Sequence, residues 1–249
     1  MGEYLFAYAC SCMVAFGCGF VLRSVVREKV VVSWSGGKDS TFALYKILKT
    51  QNYRILKLLT TVAVDLDRIS VHGVRRVLLE RQAVSLGFPL ETMLVPTDVS
   101  DMDYERRFVR SLEESRVQGA LAVVFGDIFL EDLKEYRVKL LLEAGLKRMF
   151  PLWGCNTWEL ARNFINAGFK AIVSLVDSRV LGEEFVGRKF DKVFLSDLPS
   201  GVDPCGENGE FHTFVYDGPI FRRRVNFVRG KVTLNESRFF NCDLVPYVA

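Results

Sequence analysis

The sequence predicts an α/β fold, a doubly wound parallel sheet followed by a smaller C-terminal α+β domain. Three observations carry that expectation. From Lys29 to about Trp153, β-branched and aliphatic runs alternate with amphipathic helical stretches. The strand runs are apolar throughout rather than at every second position, as in sheets covered on both faces. The first strand also runs straight into a glycine turn, Ser33-Trp34-Ser35-Gly36-Gly37-Lys38-Asp39-Ser40, that opens a helix. In open sheets with right-handed crossovers, ligands sit at the carboxyl ends of strands near the point where strand order reverses.

Taken in order, strands are expected at 29–33, 55–64, 90–95 and 120–125, with helices at 40–51, 73–87, 103–118 and 132–144. In the first helix, Leu44, Ile47 and Leu48 fall on one face. Gly126-Asp127, after the fourth strand, should share a rim with the glycine turn. His72-Gly73 opens the second helix, where the imidazole either caps the helix or meets an anion. Beyond Phe150-Pro151-Leu152-Trp153 a second unit begins. Asn156-Thr157 caps a helix to Ala167, Gly168 ends it, and a strand follows over 169–176. Val215 and Ile220-Phe221 read as strands on either side of a turn at Asp217-Gly218-Pro219. The expected division is an extension over 1–28, a first domain over 29–153 and a second over 154–249.

Length and composition exclude little. The 249 residues allow one large or two modest domains, and 49% apolar with 25% charged is an ordinary globular balance. A net charge of +3 gives no reason to expect a stable nucleic-acid complex, and the runs Arg75-Arg76, Arg106-Arg107 and Arg222-Arg223-Arg224 read as solvated surface. There is no C-x-x-C pair and there are only two histidines, so neither a structural zinc site nor a disulfide framework is expected; a reduced cytoplasmic setting fits. Residues 5–22 carry no charge over 18 positions. As a helix that stretch reaches ~27 Å, the thickness of a bilayer core. Arg23, Arg27 and Lys29 follow it, which would hold the next domain on the cytoplasmic side. The extension is either such an anchor, giving membrane contact, or dispensable: the product of a start placed too far upstream, or an apolar tail lying in a groove. A homodimer is compatible with the pattern.

The glycine turn carries the chemistry. Gly36 and Gly37 allow consecutive amides to converge on one anion, the helix adds its unpaired first-turn donors and dipole, and Lys38 adds a charge. Asp39 follows the Gly-Lys pair where a Walker loop needs Ser or Thr, so the phosphate cradle is of another kind. Ser35-Gly36-Gly37-Lys38-Asp39-Ser40 resembles the SGGxDS loop of the PP-loop, or N-type, ATP pyrophosphatases. That resemblance implies an adenine nucleotide alpha-hydrolase-like (HUP) sheet, a grip on the β,γ-diphosphate of ATP, and cleavage between the α and β phosphates. Lys38 is expected on the loop surface, so that its loss would remove charge and no core volume. Asp39 would orient the loop or meet Mg²⁺ through water. Val62 counts among the nucleotide-binding residues with Gly126 and Asp127, and the rim Val64-Asp65-Leu66-Asp67 is read as a wall for adenine or a place for a magnesium ligand. Arg137, one turn into the fourth helix, is either surface or a contact for an anionic substrate.

A second polar cluster lies at Asp203-Pro204-Cys205-Gly206-Glu207-Asn208-Gly209-Glu210-Phe211-His212-Thr213, and a solvated β-turn is its plain alternative. Together with the glycine loop, Gly126-Asp127-Ile128 and Pro151-Leu152-Trp153, it resembles the diphthine-ammonia ligase family and its prokaryotic relatives, which carry an E-x-G-E-aromatic-x-T element. Glu207, Gly209, Glu210, Phe211 and Thr213 meet that element, and the resemblance covers about Lys29 to Asn226. It implies an amide-forming ligase: ATP adenylates a substrate carboxylate, and ammonia then displaces AMP. Lys38 would neutralise the leaving pyrophosphate, Glu207 and Glu210 would attract ammonium and take its proton, and His212 would hydrogen-bond the adenylate. The chain opens Met1-Gly2, without the cysteine of a built-in glutaminase, so free ammonia or another subunit is the expected nitrogen source. The partner would be a diphthine-bearing elongation factor in a host that makes diphthamide. Adenylation of another small carboxylate or of a tRNA base, and a nucleotide sensor, stay open.

Overall fold

The computed structural model describes residues 27–69, 73–235 and 238–247. The apolar stretch 5–22 and His72 lie outside them. Among the described residues, no helix is long and apolar enough to cross a membrane.

Strands β1 (Glu28–Ser33), β2 (Tyr53–Ala63), β4 (Leu90–Val95), β5 (Ala120–Val124) and β6 (Lys147–Met149) form a parallel sheet. Their order is β4-β2-β1-β5-β6, and the short β3 (Arg68–Ile69) pairs antiparallel with the end of β2. Order therefore reverses between β1 and β5, which opens a crevice at their carboxyl ends. The apolar run of β1 is needed because both its faces are covered. Val30 and Val32 pack in the core that contains residues of α1 (Lys38–Thr50) and α2 (Arg76–Leu86), while Val31 packs in the opposite core with α3 (Asp101–Val117) and α4 (Glu131–Ala144). The helix starts follow local chemistry: Ser100 accepts from the Asp103 amide to cap α3.

Helix α5 (Thr157–Asn166), capped by Asn156, leads into β7 (Lys170–Asp177) as the sequence predicts. A 3₁₀ turn over Glu183–Phe185 and α6 (Lys192–Asp197) follow. An antiparallel sheet of order β8-β7-β10-β9 completes the chain, with β8 (Phe211–Asp217), β9 (Phe227–Asn235) and β10 (Phe239–Pro246). The strand expected at Ile220-Phe221 is absent. There the backbone bonds elsewhere: Arg222 N–H donates to the Ser85 carbonyl at the end of α2, and Val225 N–H to Tyr216. The two side chains are partly buried against the core without strand pairing.

One hydrophobic core runs from the α1–α2 face of the parallel sheet into the second sheet, so β8 lies directly over the start of α1. Val215 N–H donates to the Gly36 carbonyl at 3.0 Å.

Candidate active site

The glycine loop leaves β1 with Gly36 at φ +76°, a left-handed conformation that disfavours side chains. Buried Gln82 on α2 holds it there. The Gln82 amide donates to the Gly36 and Val215 carbonyls at 2.9 and 2.6 Å, and its oxygen accepts from Trp34 Nε1 at 2.9 Å. Ser35 Oγ accepts from the Gly37 amide and lies 3.1 Å from Ser40 Oγ. The Lys38 amide donates to Thr213 Oγ1 at 3.0 Å, so the threonine of the second polar cluster caps the glycine loop. The Asp39 and Ser40 amides belong to the first helical turn, whose donors lack intrahelical partners.

Lys38 is not the surface charge that the sequence predicts. It is 4% exposed, paired with Asp39 at 2.8 Å, and its Nζ donates to the Cys205 carbonyl. Burial works against its charge, but Asp39 and neighbouring groups outweigh that and raise its pKa. The Asp39 carboxyl is itself raised by burial, with Lys38 pulling the other way.

The second cluster is a stiff loop rather than a solvated turn. Asp203 Oδ2 accepts from the Cys205 and Glu207 amides, and Glu210 Oε1 accepts from the Asp203 amide and Asn208 Nδ2. This loop directs Glu207 across to the segment after β5, where Oε1 accepts from the Ile128 amide at 2.7 Å. Burial pushes the Glu207 carboxyl up to about 7, against the pull of the Ile128 hydrogen bond. A carboxylate with that pKa can take and return protons at neutral pH.

These pieces border one cavity of about 480 Å³ at the β1–β5 crevice, within the size range of small-molecule sites. Ser35, Lys38, Asp39 and Ser40 line it from the loop, Gly126 and Asp127 from the segment after β5, and Glu207, His212 and Thr213 from the far side. Gly36 and Gly37 shape the loop behind that wall. Gly126 allows the close approach: a Cβ there would lie 2.7 Å from the Asp39 carbonyl carbon and 2.8 Å from Ser40 N.

Two expected positions fall elsewhere. Glu210 is buried and does not line the cavity; its carboxylate organises the 203–208 turn. Val62 is fully buried in the core between β3 and β4, and the cavity edge near it is formed by Leu59, Thr60, Thr61 and Ile69. The 64–67 rim also turns away, because Asp65 binds Thr97 and Asp67 pairs with Arg76. Trp34 and Gln82 are the additions, and Arg137, left open between surface and an anion contact by the sequence, proves to be a wall residue. Trp34 and Arg137 line the cavity, whereas Gln82 acts from behind the loop. Arg137 meets Asp127 by two contacts and also lies over the Phe125 ring. The Gly126-Asp127 rim and the place of Arg137 in the fourth helix hinted at that wall, but nothing local paired Arg137 with Asp127.

The diphthamide synthase N-terminal domain model matches residues 28–148, and the diphthamide synthase C-terminal domain model matches residues 156–243. The chain belongs to the diphthamide synthase family. Diphthine–ammonia ligase of Homo sapiens is 26% identical over 241 residues, covering 85% of this chain and 87% of that protein. The protein of the same name from Bos taurus is 29% identical over 143 residues, 55% of this chain and 51% of its own length. A solved structure titled as a predicted subunit of tRNA methyltransferase from Methanocaldococcus jannaschii covers 57% of this chain and 77% of its own, at 21% identity and a TM-score of 0.38.

The site fits a nucleotide triphosphate. The buried Thr60 hydroxyl in the wall has no protein partner, Lys38 lines the cavity, and first-turn amides border the loop. Among the described residues, no three His, Cys, Asp or Glu side chains group as a metal site. Mg²⁺ commonly needs only one or two carboxylates with substrate phosphates, and Asp39 supplies one at the cavity edge.

Proposed function

We propose that this diphthamide synthase family member is an ATP-dependent ligase that adenylates the carboxylate of diphthine on an elongation factor and couples ammonia to it. The observation that carries the reading is the single cavity shared by the glycine loop and Glu207. One wall holds phosphate and the other holds a proton acceptor.

A substrate carboxylate oxygen attacks the α-phosphorus of ATP, and the α–β phosphoanhydride bond breaks with loss of pyrophosphate. Lys38 and the first-turn amides balance the charge that builds on the leaving group, and this is worth more in a site that excludes water. Mg²⁺, held by Asp39 and the phosphates, would add to that neutralisation. Ammonia then attacks the activated carbonyl and AMP leaves. Glu207, whose carboxyl burial raises to about 7, takes the surplus proton of the attacking nitrogen in its ionised form. His212 lies on the same wall, within the cavity that would hold AMP. Glu210 supports this geometry from behind the loop.

The test is the nucleotide product. With diphthine-bearing factor, ammonium and MgATP, the reading requires AMP and pyrophosphate; ADP and phosphate would refute it. AMP formed only with another carboxylate, or with tRNA, would reassign the substrate.

A further inference from the structure

We propose that Arg137 receives the substrate's carboxylate and that Asp127 is the positioning residue that fixes the guanidinium plane. The inference rests on the carboxylate-activating function above. Three carboxylates, Asp39, Asp127 and Glu207, border the cavity. A fourth entering as substrate is repelled unless a cation receives it. Lys38 and Arg137 are the lysine and arginine of that wall, and Lys38 is already engaged by Asp39 and the Cys205 carbonyl beside the phosphate loop.

Arg137 is engaged on one edge. Its Nε lies 2.6 Å from Asp127 Oδ2, and its Nη2 donates to Oδ1 at 3.2 Å. Guanidinium presents five N–H donors in a fixed fork. The opposite edge, Nη1 with the second Nη2 hydrogen, has no protein acceptor among the described residues. Asp127 is 8% exposed and the Phe125 ring centre lies 4.7 Å from the guanidinium carbon, so the plane is held from an edge and a face. The vacant edge matches a carboxylate bidentately. Tyr104, Phe108 and Tyr136 line the same cavity, with Tyr136 near both Tyr104 and Arg137. Asp127 is followed by Ile128, whose amide holds Glu207. A carboxylate on Arg137 would thus lie in the part of the cavity shared with the proton acceptor, while phosphates lie by Lys38. Because Asp127 already balances the Arg137 charge, binding depends on directed hydrogen bonds, and lysine should not substitute.

The experiment uses the full chain with Arg137→Ala, Arg137→Lys and Asp127→Asn. It measures KM for diphthine-bearing elongation factor and, separately, MgATP affinity by titration calorimetry. Arg137→Ala should raise that KM by about tenfold or more, the scale of a lost charge-assisted contact, with ATP affinity unchanged. Arg137→Lys should lose nearly as much although it keeps the charge and avoids an unpaired buried Asp127. Asp127→Asn should raise KM less. Added guanidinium should restore activity to Arg137→Ala but not to Arg137→Lys. Weakened ATP binding with an unchanged KM would make Arg137 a nucleotide ligand and overturn the proposal, as would equal loss of both or no change in either. A parent protein that forms no AMP with the factor would refute the proposed function, and this assignment with it.

Discussion

Replacing Gly126 by alanine puts a methyl group against the backbone that begins α1. The added carbon would lie 2.7 Å from the Asp39 carbonyl carbon, 2.8 Å from Ser40 N and 3.0 Å from the Asp39 oxygen. Non-bonded carbons settle at about 3.5 Å or more, so the two backbones must part by roughly 0.8 Å. No side chain can yield instead, since all three atoms are main chain. Gly126 does not have a positive φ, so the cost is steric rather than torsional. Overpacking of this kind costs about 1–3 kcal/mol, or about 2–4 °C of melting temperature per kcal/mol in a chain of this size. The larger effect falls on chemistry, because a displacement approaching 1 Å at a reacting centre can cost about 10²-fold in rate. Pyrophosphate release and thermal unfolding, measured on the same preparation, separate the two. A Gly126→Ala protein that melts and turns over like its parent would refute the reading that this close approach shapes the site.

Gln82→Met should destabilise by about 2–4 kcal/mol, three buried hydrogen bonds at about 1 kcal/mol each, and urea unfolding would read it. Activity that requires ionised Glu207 should rise with pH through a midpoint near 7, the value to which burial raises this group, and Glu207→Gln should abolish that step. A pH–rate profile of amide formation between pH 5.5 and 8.5, roughly the span over which a group of that pKa titrates, checks it. Lys38→Met should abolish pyrophosphate release and also lower stability, because Asp39 and the Cys205 carbonyl lose their partner; full stability with lost activity would show that the buried pair contributes nothing to the fold. Glu210→Gln should retain most activity, since an amide oxygen can still accept from the Asp203 amide, whereas Glu210→Ala should loosen the loop and lower turnover.

The sheet and its loop were legible because local rules specify them. A strand buried on both faces must be apolar, a left-handed turn favours glycine, and an anion site at a helix start needs small residues and a cation. The second cluster was legible from its density of polar groups. What the individual carboxylates do was not. Glu207 and Glu210 are three residues apart and chemically alike, yet the turn built on Asp203 and Gly206 sends one into the cavity and the other behind it. Ile220-Phe221 misled for a related reason, since apolar content does not say whether a backbone will pair with a strand or with the end of a helix.

The sequence by itself determined the fold class, the glycine loop and the family, because each is carried by short motifs and periodic runs that are read locally along the chain. Tertiary structure decided which groups face the cavity and in what state. Lys38 meets Cys205, Gln82 joins Trp34 to Val215, and Arg137 meets Asp127 only when the second sheet is laid over α1 and α4 is packed beside β5. Burial and hydrogen-bond partners arise from contacts between residues far apart in the chain; burial raises the Glu207 pKa to about 7 against the opposing Ile128 hydrogen bond.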